Sequence, residues 1–271
     1  MAKGSDAVLQ RLAEREIAVP TQSADQIALA DGWWDLAEKE KSPLRKGPMQ
    51  THARVLYDGA LAGATGIARV KVERRLEQLE IATAGPVNLL RMIDPKSDAV
   101  LGQWKIENGV LTCAPLPLAR LQVPYQPPEE YDLTVVVSRR SGADAILVGL
   151  VGGGVQFAVS IDTFSGQGGS TFLDSFDGNV AIDRNPTLVR GIQIAASSSA
   201  TLVCSVRKKG VSVTLNGRRI IAWEGEYRHL STNPPWKVPE PRALFIGAYD
   251  VGLQFGKYSL TPVTGQGKKL R

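Results

Sequence analysis

The sequence predicts a mainly β protein in which an antiparallel two-sheet jelly-roll sandwich follows an N-terminal α-helical segment. Apolar residues recur at helical spacing up to about Ile81 and at alternate positions from Val87 onward. After Val87, short apolar runs alternate with turn residues, and no segment between them has the pattern of a crossover helix. We place the boundary at ATAGPVN, which predicts a helical segment at 1–84 and a sandwich at 85–271.

The composition is that of a folded protein, and it excludes several classes of function. The chain has 271 residues, of which 43% are hydrophobic and 22% charged, with a net charge of +5. Its basic residues are dispersed as doublets rather than gathered in a stripe, which argues against nucleic-acid binding. No apolar run approaches the ~20 residues that span a bilayer, so we expect no membrane insertion.

The first residues, MAKGSDAVLQRLAERE, lack the apolar core of a signal peptide. The sequence therefore does not determine the cellular compartment. One option is that the chain is part of a longer secreted or cell-envelope bacterial protein.

Four helices are predicted before the boundary. The first extends from about Ser5 to the proline at position 20, and the last ends near Ile81. Between them, Gly47 and Pro48 predict a break, because proline lacks the N–H that a helix interior needs. The following helix has small and aromatic residues that would let two helices approach closely: Ala53, Tyr57 and Ala60. That spacing resembles the second helix of a tetratricopeptide repeat, with an extra helix added.

Ten segments after the boundary are predicted to contain strands. They are, in order, VNLLRMI, GQWKIENGVLTC, YDLTVVVSRR, DAILVGLVG, VQFAVSID, GIQIAA, ATLVCSVRK, GVSVTLNGRRIIAW, ALFIGAY and LQFGKYSLTPV. Asn108-Gly109 and Asn216-Gly217 predict type I′ hairpin turns. Cys113 and Cys204 lie in two of these strands, where they would be buried thiols, or a disulfide if their Cα atoms lie within about 7 Å.

The order of several short segments resembles that of a known group of domains. These segments are Trp104 with ENGVLTC, then Tyr131-Asp132-Leu133, VQFAVSID, Leu215-Asn216-Gly217, and finally ALFIGAY with LQFGKYSLTPV. They resemble concanavalin A-like sandwiches, particularly laminin-G-like domains and the 3-keto-disaccharide hydrolase-like domains of planctomycete-type bacteria. The resemblance implies either a lectin-like module that binds glycans or proteins, sometimes with calcium, or an enzyme that cleaves modified disaccharides. The usual entry to the first strand is replaced here by MIDPKSDAV, which disfavours the enzyme.

A proline-rich segment, WEGEYRHLSTNPPWKVPEP, is the best candidate for a ligand-binding loop. Its aromatic residues include Tyr227 and Trp236, whose flat rings could stack on sugars or could pin the loop to the sandwich. Three polar residues would supply hydrogen bonds to sugar hydroxyls: Arg140, Gln156 and Asp162. Gln156 and Asp162 share the polar side of VQFAVSID, which is equally what a solvated sheet face shows.

The glycine-rich segment SIDTFSGQGGSTFLDSFDGN contains three carboxylates. Asp174 and Asp177 are candidate metal ligands, since calcium prefers carboxylate and carbonyl oxygens, although Asp and Gly in such a segment also simply form turns. No cofactor other than calcium is indicated. Paired with Asp162, either residue could also provide the two carboxylates of glycoside hydrolysis.

Three functions remain at this stage. The sequence favours a non-catalytic, lectin-like module that binds carbohydrate or a protein surface and is joined to a helical adaptor. The first alternative is a hydrolase of 3-keto or otherwise modified disaccharides, and the second is an architectural domain of a larger secreted or envelope protein.

Overall fold

The computed structural model describes residues 7–18, 20–179 and 182–271, with the backbone alone described at positions 43 and 81–84. The chain divides into two compact units, Met1–Gly85 and Pro86–Arg271. The predicted start of the first helix at Ser5 lies outside the described residues. Among those described, no helix is long and apolar enough to cross a membrane.

The first unit is a set of four helices, α1 (Ala7–Ile17), α2 (Ser23–Lys39), α3 (Pro43–Leu61) and α4 (Gly66–Ala84). Its core is narrow because small residues let α2 and α3 approach. Ala30, Ala53 and Ala60 are fully buried there, and so is Tyr57. The Tyr57 hydroxyl donates a hydrogen bond to Oδ1 of Asp31 (2.7 Å), which links α3 to α2.

The predicted break at Gly47 and Pro48 is wrong, because α3 continues through both residues. Proline in a helix interior costs about 3 kcal/mol, mainly through one lost hydrogen bond and a clash with the preceding turn. Pro48 lies in the second turn of α3, close to the N-terminus. The later turns carry the buried Ala53, Tyr57 and Ala60, so packing against α2 stabilises the helix despite Pro48.

The second unit is the predicted antiparallel sandwich. Seventeen strands are described: β1 (Val87–Asn88), β2 (Ala99–Leu101), β3 (Trp104–Glu107), β4 (Val110–Cys113), β5 (Ala119–Val123), β6 (Tyr125–Gln126), β7 (Glu130–Gly142), β8 (Ile146–Gly152), β9 (Val155–Thr163), β10 (Ser170–Leu173), β11 (Val189–Arg190), β12 (Ser199–Arg207), β13 (Gly210–Leu215), β14 (Arg218–Glu224), β15 (Leu244–Ala248), β16 (Val251–Thr264) and β17 (Lys268–Lys269). A single-turn helix, α5 (Pro95–Asp98), precedes β2.

Two large sheets face each other across one core. The first has the order β14-β13-β12-β7-β16-β4-β3, with β1 also paired to β16, and the second has the order β11-β10-β9-β8-β15-β5-β2. Strands β6 and β17 form a separate small pair. Two of the predicted strand segments do not form strands over their predicted length. Only Val87–Asn88 of VNLLRMI is a strand, since the Asn88 side chain accepts from Leu90 N and starts a 3-10 turn at Leu89–Met92. The segment GIQIAA forms no strand.

Local turn chemistry agrees with the prediction. Asn108 and Gly109 have φ of 51° and 77°, and Asn216 and Gly217 have φ of 49° and 80°, as a type I′ turn requires. The two turns join β3 to β4 and β13 to β14.

Alternation along β9 determines what lies in the core. Phe157, Val159 and Ile161 point between the sheets, as predicted. Cys113 and Cys204 are also in this core, and both are free thiols rather than a disulfide. Burial raises the pKa of Cys113 to about 12, so this thiol stays protonated at neutral pH.

Candidate functional site

The outer face of the second sheet, opposite the core, is partly covered by the proline-rich loop. Leu147, Ala158 and Phe245 point outward from this sheet and are buried under Trp236 and Val238 of the loop. The indole of Trp236 lies directly on the backbone at position 247, where a Cβ would come within 3.0 Å of the ring. Glycine there is what allows the indole to lie so close to the sheet.

Strand register brings several loop residues to one end of this sheet. Ile146 at the start of β8 pairs with Ile161 near the end of β9 and with Ala248 at the end of β15. Residues just beyond these strand ends are therefore neighbours, although they lie far apart in sequence. They include Asp144, Phe164 and Tyr249.

A groove of about 460 Å³ lies at this end, and its lining combines aromatic and polar side chains. We call it the Trp236 groove; its lining residues are Leu118, Asp144, Ala145, Ser160, Thr163, Phe164, Phe172, Asp174, Ile182, Asn233, Pro235, Trp236 and Tyr249. The rings of Trp236 and Tyr249 meet edge to face, with centroids 6.5 Å apart. Tyr249 is 37% exposed and Phe164 is 50% exposed, so both rings present surface to solvent at the groove.

Two carboxylates lie among these rings. Asp174 is only 6% exposed, and its Oδ2 accepts a hydrogen bond from Asn233 N (3.1 Å) in the proline-rich loop. Burial raises the pKa of Asp174, because desolvation disfavours the charged carboxylate. The other carboxylate, Asp144, uses Oδ1 to accept from Phe164 N (3.0 Å). The hydroxyls of Ser160 and Thr163 hydrogen-bond to each other beside these carboxylates.

A buried ion pair holds the rim of the groove in place. Arg139 and Asp162 are 1% and 0% exposed and meet at 3.0 Å. Asp162 also accepts from the backbone N–H groups of Gln193 (2.6 Å) and Ile194 (2.9 Å). Arg139 in turn donates to the carbonyl oxygen of Asp144 (2.8 Å). The pair therefore holds the backbone at Asp144 through Arg139. It also holds the backbone near Phe164, because Phe164 follows Asp162 by two residues.

Only two of the predicted site residues, Trp236 and Asp174, line the groove. Asp162 cannot contact a ligand, because it is fully buried and its carboxylate is occupied by Arg139 and two N–H groups. Gln156 donates to the carbonyl oxygens of Glu240 (3.3 Å) and Ala243 (2.7 Å), and so holds the end of the proline-rich loop against β9. The exposed Arg140 lies on the first sheet, where it donates to Oε1 of Gln254.

Tyr227 is a core residue rather than a sugar platform. It is 5% exposed, and its hydroxyl lies 2.6 Å from the carbonyl oxygen of Arg207 and 2.7 Å from that of Gly210. Burial also raises its pKa to about 12. The neighbouring Trp223 packs edge to face on Tyr227, so these two aromatics attach the loop to the sandwich.

The two proposed calcium ligands do not share a site. Asp177 points away from the Trp236 groove and pairs with His229, its Oδ1 lying 2.6 Å from Nδ1 of the imidazole. Within 7–18, 20–179 and 182–271, no three His, Cys, Asp or Glu side chains converge as a metal site requires.

Most residues of the groove could not be found from the sequence. Asp144, Phe164 and Tyr249 come from three separate loops, and no spacing in the sequence connects them. The sequence contains one weak signal, since Phe164 is the one large apolar residue in the polar stretch TFSGQGGS. In the structure it also has a positive φ of 56°. A large side chain held in that strained conformation on the surface is a reasonable indicator of a functional role.

No family model matches the chain, and the search of curated proteins finds no match. Solved structures similar to the sandwich include the carbohydrate-binding module CBM66 from Bacillus subtilis, with 9% identity and a TM-score of 0.45 over 60% of this chain and 94% of that one. Another is a protein of unknown function with a galectin-like fold from Bacillus subtilis, with 11% identity and a TM-score of 0.43 over 67% of this chain and 95% of that one. A third is the exoplasmic/lumenal domain of VIP36, with 10% identity and a TM-score of 0.42 over 61% of this chain and 84% of that one. With TM-scores below 0.5, these similarities say nothing about a ligand for this chain.

Proposed function

We propose that the sandwich is a non-catalytic carbohydrate-binding module and that the Trp236 groove is its binding site. The observation that carries the proposal is the combination of exposed aromatic rings with inward-facing acceptors in one groove. Tyr249 and Phe164 are the exposed rings, and Asp144 and Asp174 are the acceptors. The helical unit would act as an adaptor for the module.

The chemistry of the groove suits a sugar. The C–H face of a pyranose is apolar and packs on aromatic rings, while its hydroxyls donate to carboxylates. A volume of about 460 Å³ falls within the range of ~300–1,000 Å³ usual for small-molecule sites. The walls are also well held, because Trp236 rests on the sheet and the Arg139–Asp162 pair fixes the rim. A rigid groove loses little conformational entropy when a ligand binds.

One observation favours a second candidate, a glycoside hydrolase. Hydrolysis needs a carboxyl group that stays protonated to act as an acid and a second carboxylate as base or nucleophile. The pKa of Asp174 is raised by burial, and Asp144 lies in the same groove. The candidate catalytic pair is therefore Asp174 with Asp144, and not Asp162 with Asp174 or Asp177. Asp162 is buried against Arg139, and Asp177 lies outside the groove.

The test is a glycan array with the purified full-length chain, followed by calorimetric titration of each hit. Tyr249→Ala and Phe164→Ala should each weaken binding about tenfold, at the upper end of what an aromatic contact contributes. Arg140→Ala is the matched control, because it removes an exposed side chain from the other sheet and should leave affinity unchanged.

The outcomes separate the candidates. Saturable binding that Tyr249→Ala weakens, with no product formed, supports the binding module. Product formation that is lost in Asp174→Asn supports the hydrolase. Binding that Arg140→Ala abolishes would move the site to the first sheet, and no binding to any glycan would favour a protein ligand or an architectural domain.

A further inference from the structure

The Trp236 groove is acidic although the protein as a whole is basic. The chain has 32 Lys and Arg residues against 27 Asp and Glu, for a net charge of +5. Among the described residues that line the groove, two are aspartates and none is Lys, Arg or His. A ligand that enters the groove therefore meets a lining whose charge is opposite in sign to the net charge of the chain.

The two carboxylates of the groove are not neutralised by the protein. In the described parts of the chain, neither Asp144 nor Asp174 has a basic side chain within salt-bridge distance. Each accepts one backbone N–H with one oxygen, from Phe164 and Asn233 respectively. The second oxygen of each has no donor among these residues. Asp162 shows the contrast, since it is fully buried and is paired with Arg139.

A buried carboxylate without a cation is costly, and a carboxylate of this kind in a groove is a candidate for acting on a ligand. Asp174 is 6% exposed and lines a groove with aromatic walls, so a bound cation would be partly shielded from water there. Shielding strengthens the attraction of that cation to the carboxylate.

We propose that the groove selects glycans with free amino groups, such as unacetylated hexosamine units, over neutral or uronate-containing glycans. This inference rests on the proposed function. An ammonium group donates charge-assisted hydrogen bonds to Asp174 and Asp144, whereas a hydroxyl donates only a neutral one. A uronate would bring a third negative charge into the groove, with no Lys, Arg or His on its described lining to balance it. The raised pKa of Asp174 is the sign of a desolvated carboxylate that a bound ammonium would stabilise in its charged form.

The experiment is calorimetric titration of the full-length protein with three β-linked oligosaccharides of equal length at mildly acidic pH. They are an unacetylated glucosamine oligomer, its fully N-acetylated counterpart and a neutral glucose oligomer, with an oligouronate as a fourth probe. We expect the unacetylated oligomer to bind about tenfold more tightly than the neutral one, since charge-assisted hydrogen bonds contribute more than neutral ones. The oligouronate should bind least.

Isosteric variants distinguish this inference from the proposed function. Asp174→Asn and Asp144→Asn should remove the preference for the amine, so that the unacetylated oligomer binds no more tightly than the neutral one. Asp177→Asn, which removes the same charge outside the groove, should change nothing. Tyr249→Ala should weaken all ligands together.

Each result decides the question. Equal affinity for the amine and neutral oligomers, still weakened by Tyr249→Ala, would overturn the inference and leave the binding module intact. A preference for amines that Asp177→Asn removes as fully as Asp174→Asn would also overturn it, because the charge would then act from outside the groove. No binding of any of these four oligomers would overturn the inference, while the glycan array decides the binding module separately.

Discussion

Replacing Asp162 with asparagine should destabilise the sandwich by about 3–5 kcal/mol, the usual result when one partner of a buried ion pair is removed. The structure explains why the cost is high. Asp162 is fully buried and accepts three hydrogen bonds, from Arg139 (3.0 Å), Gln193 N (2.6 Å) and Ile194 N (2.9 Å). Asparagine keeps the shape and one acceptor oxygen but leaves the guanidinium of Arg139, itself 1% exposed, without a counter-charge.

The assay is urea unfolding of the wild type and of a double-mutant cycle with Arg139→Met. The double variant removes both charges, so its loss of stability should be smaller than the sum of the single losses by at least about 1 kcal/mol. Asp183→Asn is the matched control, because it breaks an Arg–Asp pair that is exposed on both sides, and should cost at most about 0.5 kcal/mol. A loss for Asp162→Asn no larger than this control, or strictly additive losses, would refute the reasoning.

Three further predictions concern single residues. Tyr227→Phe should cost about 1 kcal/mol of stability, because it deletes a buried hydroxyl that hydrogen-bonds to backbone carbonyls, and should leave glycan affinity unchanged in titration. Cys113 should resist alkylation in the native protein and react once urea unfolds it, as mass spectrometry would show, because burial raises the pKa of its thiol to about 12. Asp174→Asn should raise the melting temperature at neutral pH and have little effect well below the ordinary aspartate pKa of 3.8. The effect has this sign because folding raises the pKa of Asp174. The wild type is therefore relatively stabilised at acid pH and loses that contribution as the carboxyl ionises. An equal change in melting temperature at both pH values would contradict this prediction.

The fold was predictable where the signal is local. Alternation along VQFAVSID determined which side of β9 faces the core, and Asn-Gly pairs determined two hairpins. The two failures have different causes, one tertiary and one local. Gly47 and Pro48 indicate a break, but contacts of the later turns with α2 outweigh the lost hydrogen bond. The apolar run after Val87 becomes a 3-10 turn because the side chain of Asn88 caps it.

The polar side of β9 shows why the site was harder to predict. Gln156 and Asp162 were expected to face a ligand, yet one holds the proline-rich loop and the other lies in a buried ion pair. Period-two alternation says which side of a sheet a residue occupies. It does not say whether a loop from another part of the chain covers that side.

By itself, the sequence determined the class of the fold and the positions of most strands along the chain. Local turn preferences and residue periodicity suffice for these, because they depend on neighbours in the chain. The tertiary structure alone decided which residues line the Trp236 groove. Asp144, Phe164 and Tyr249 meet only because strand pairing aligns the ends of β8, β9 and β15. It also decided that Asp174 lies in the groove and Asp162 does not, since only folding places Arg139 beside the latter.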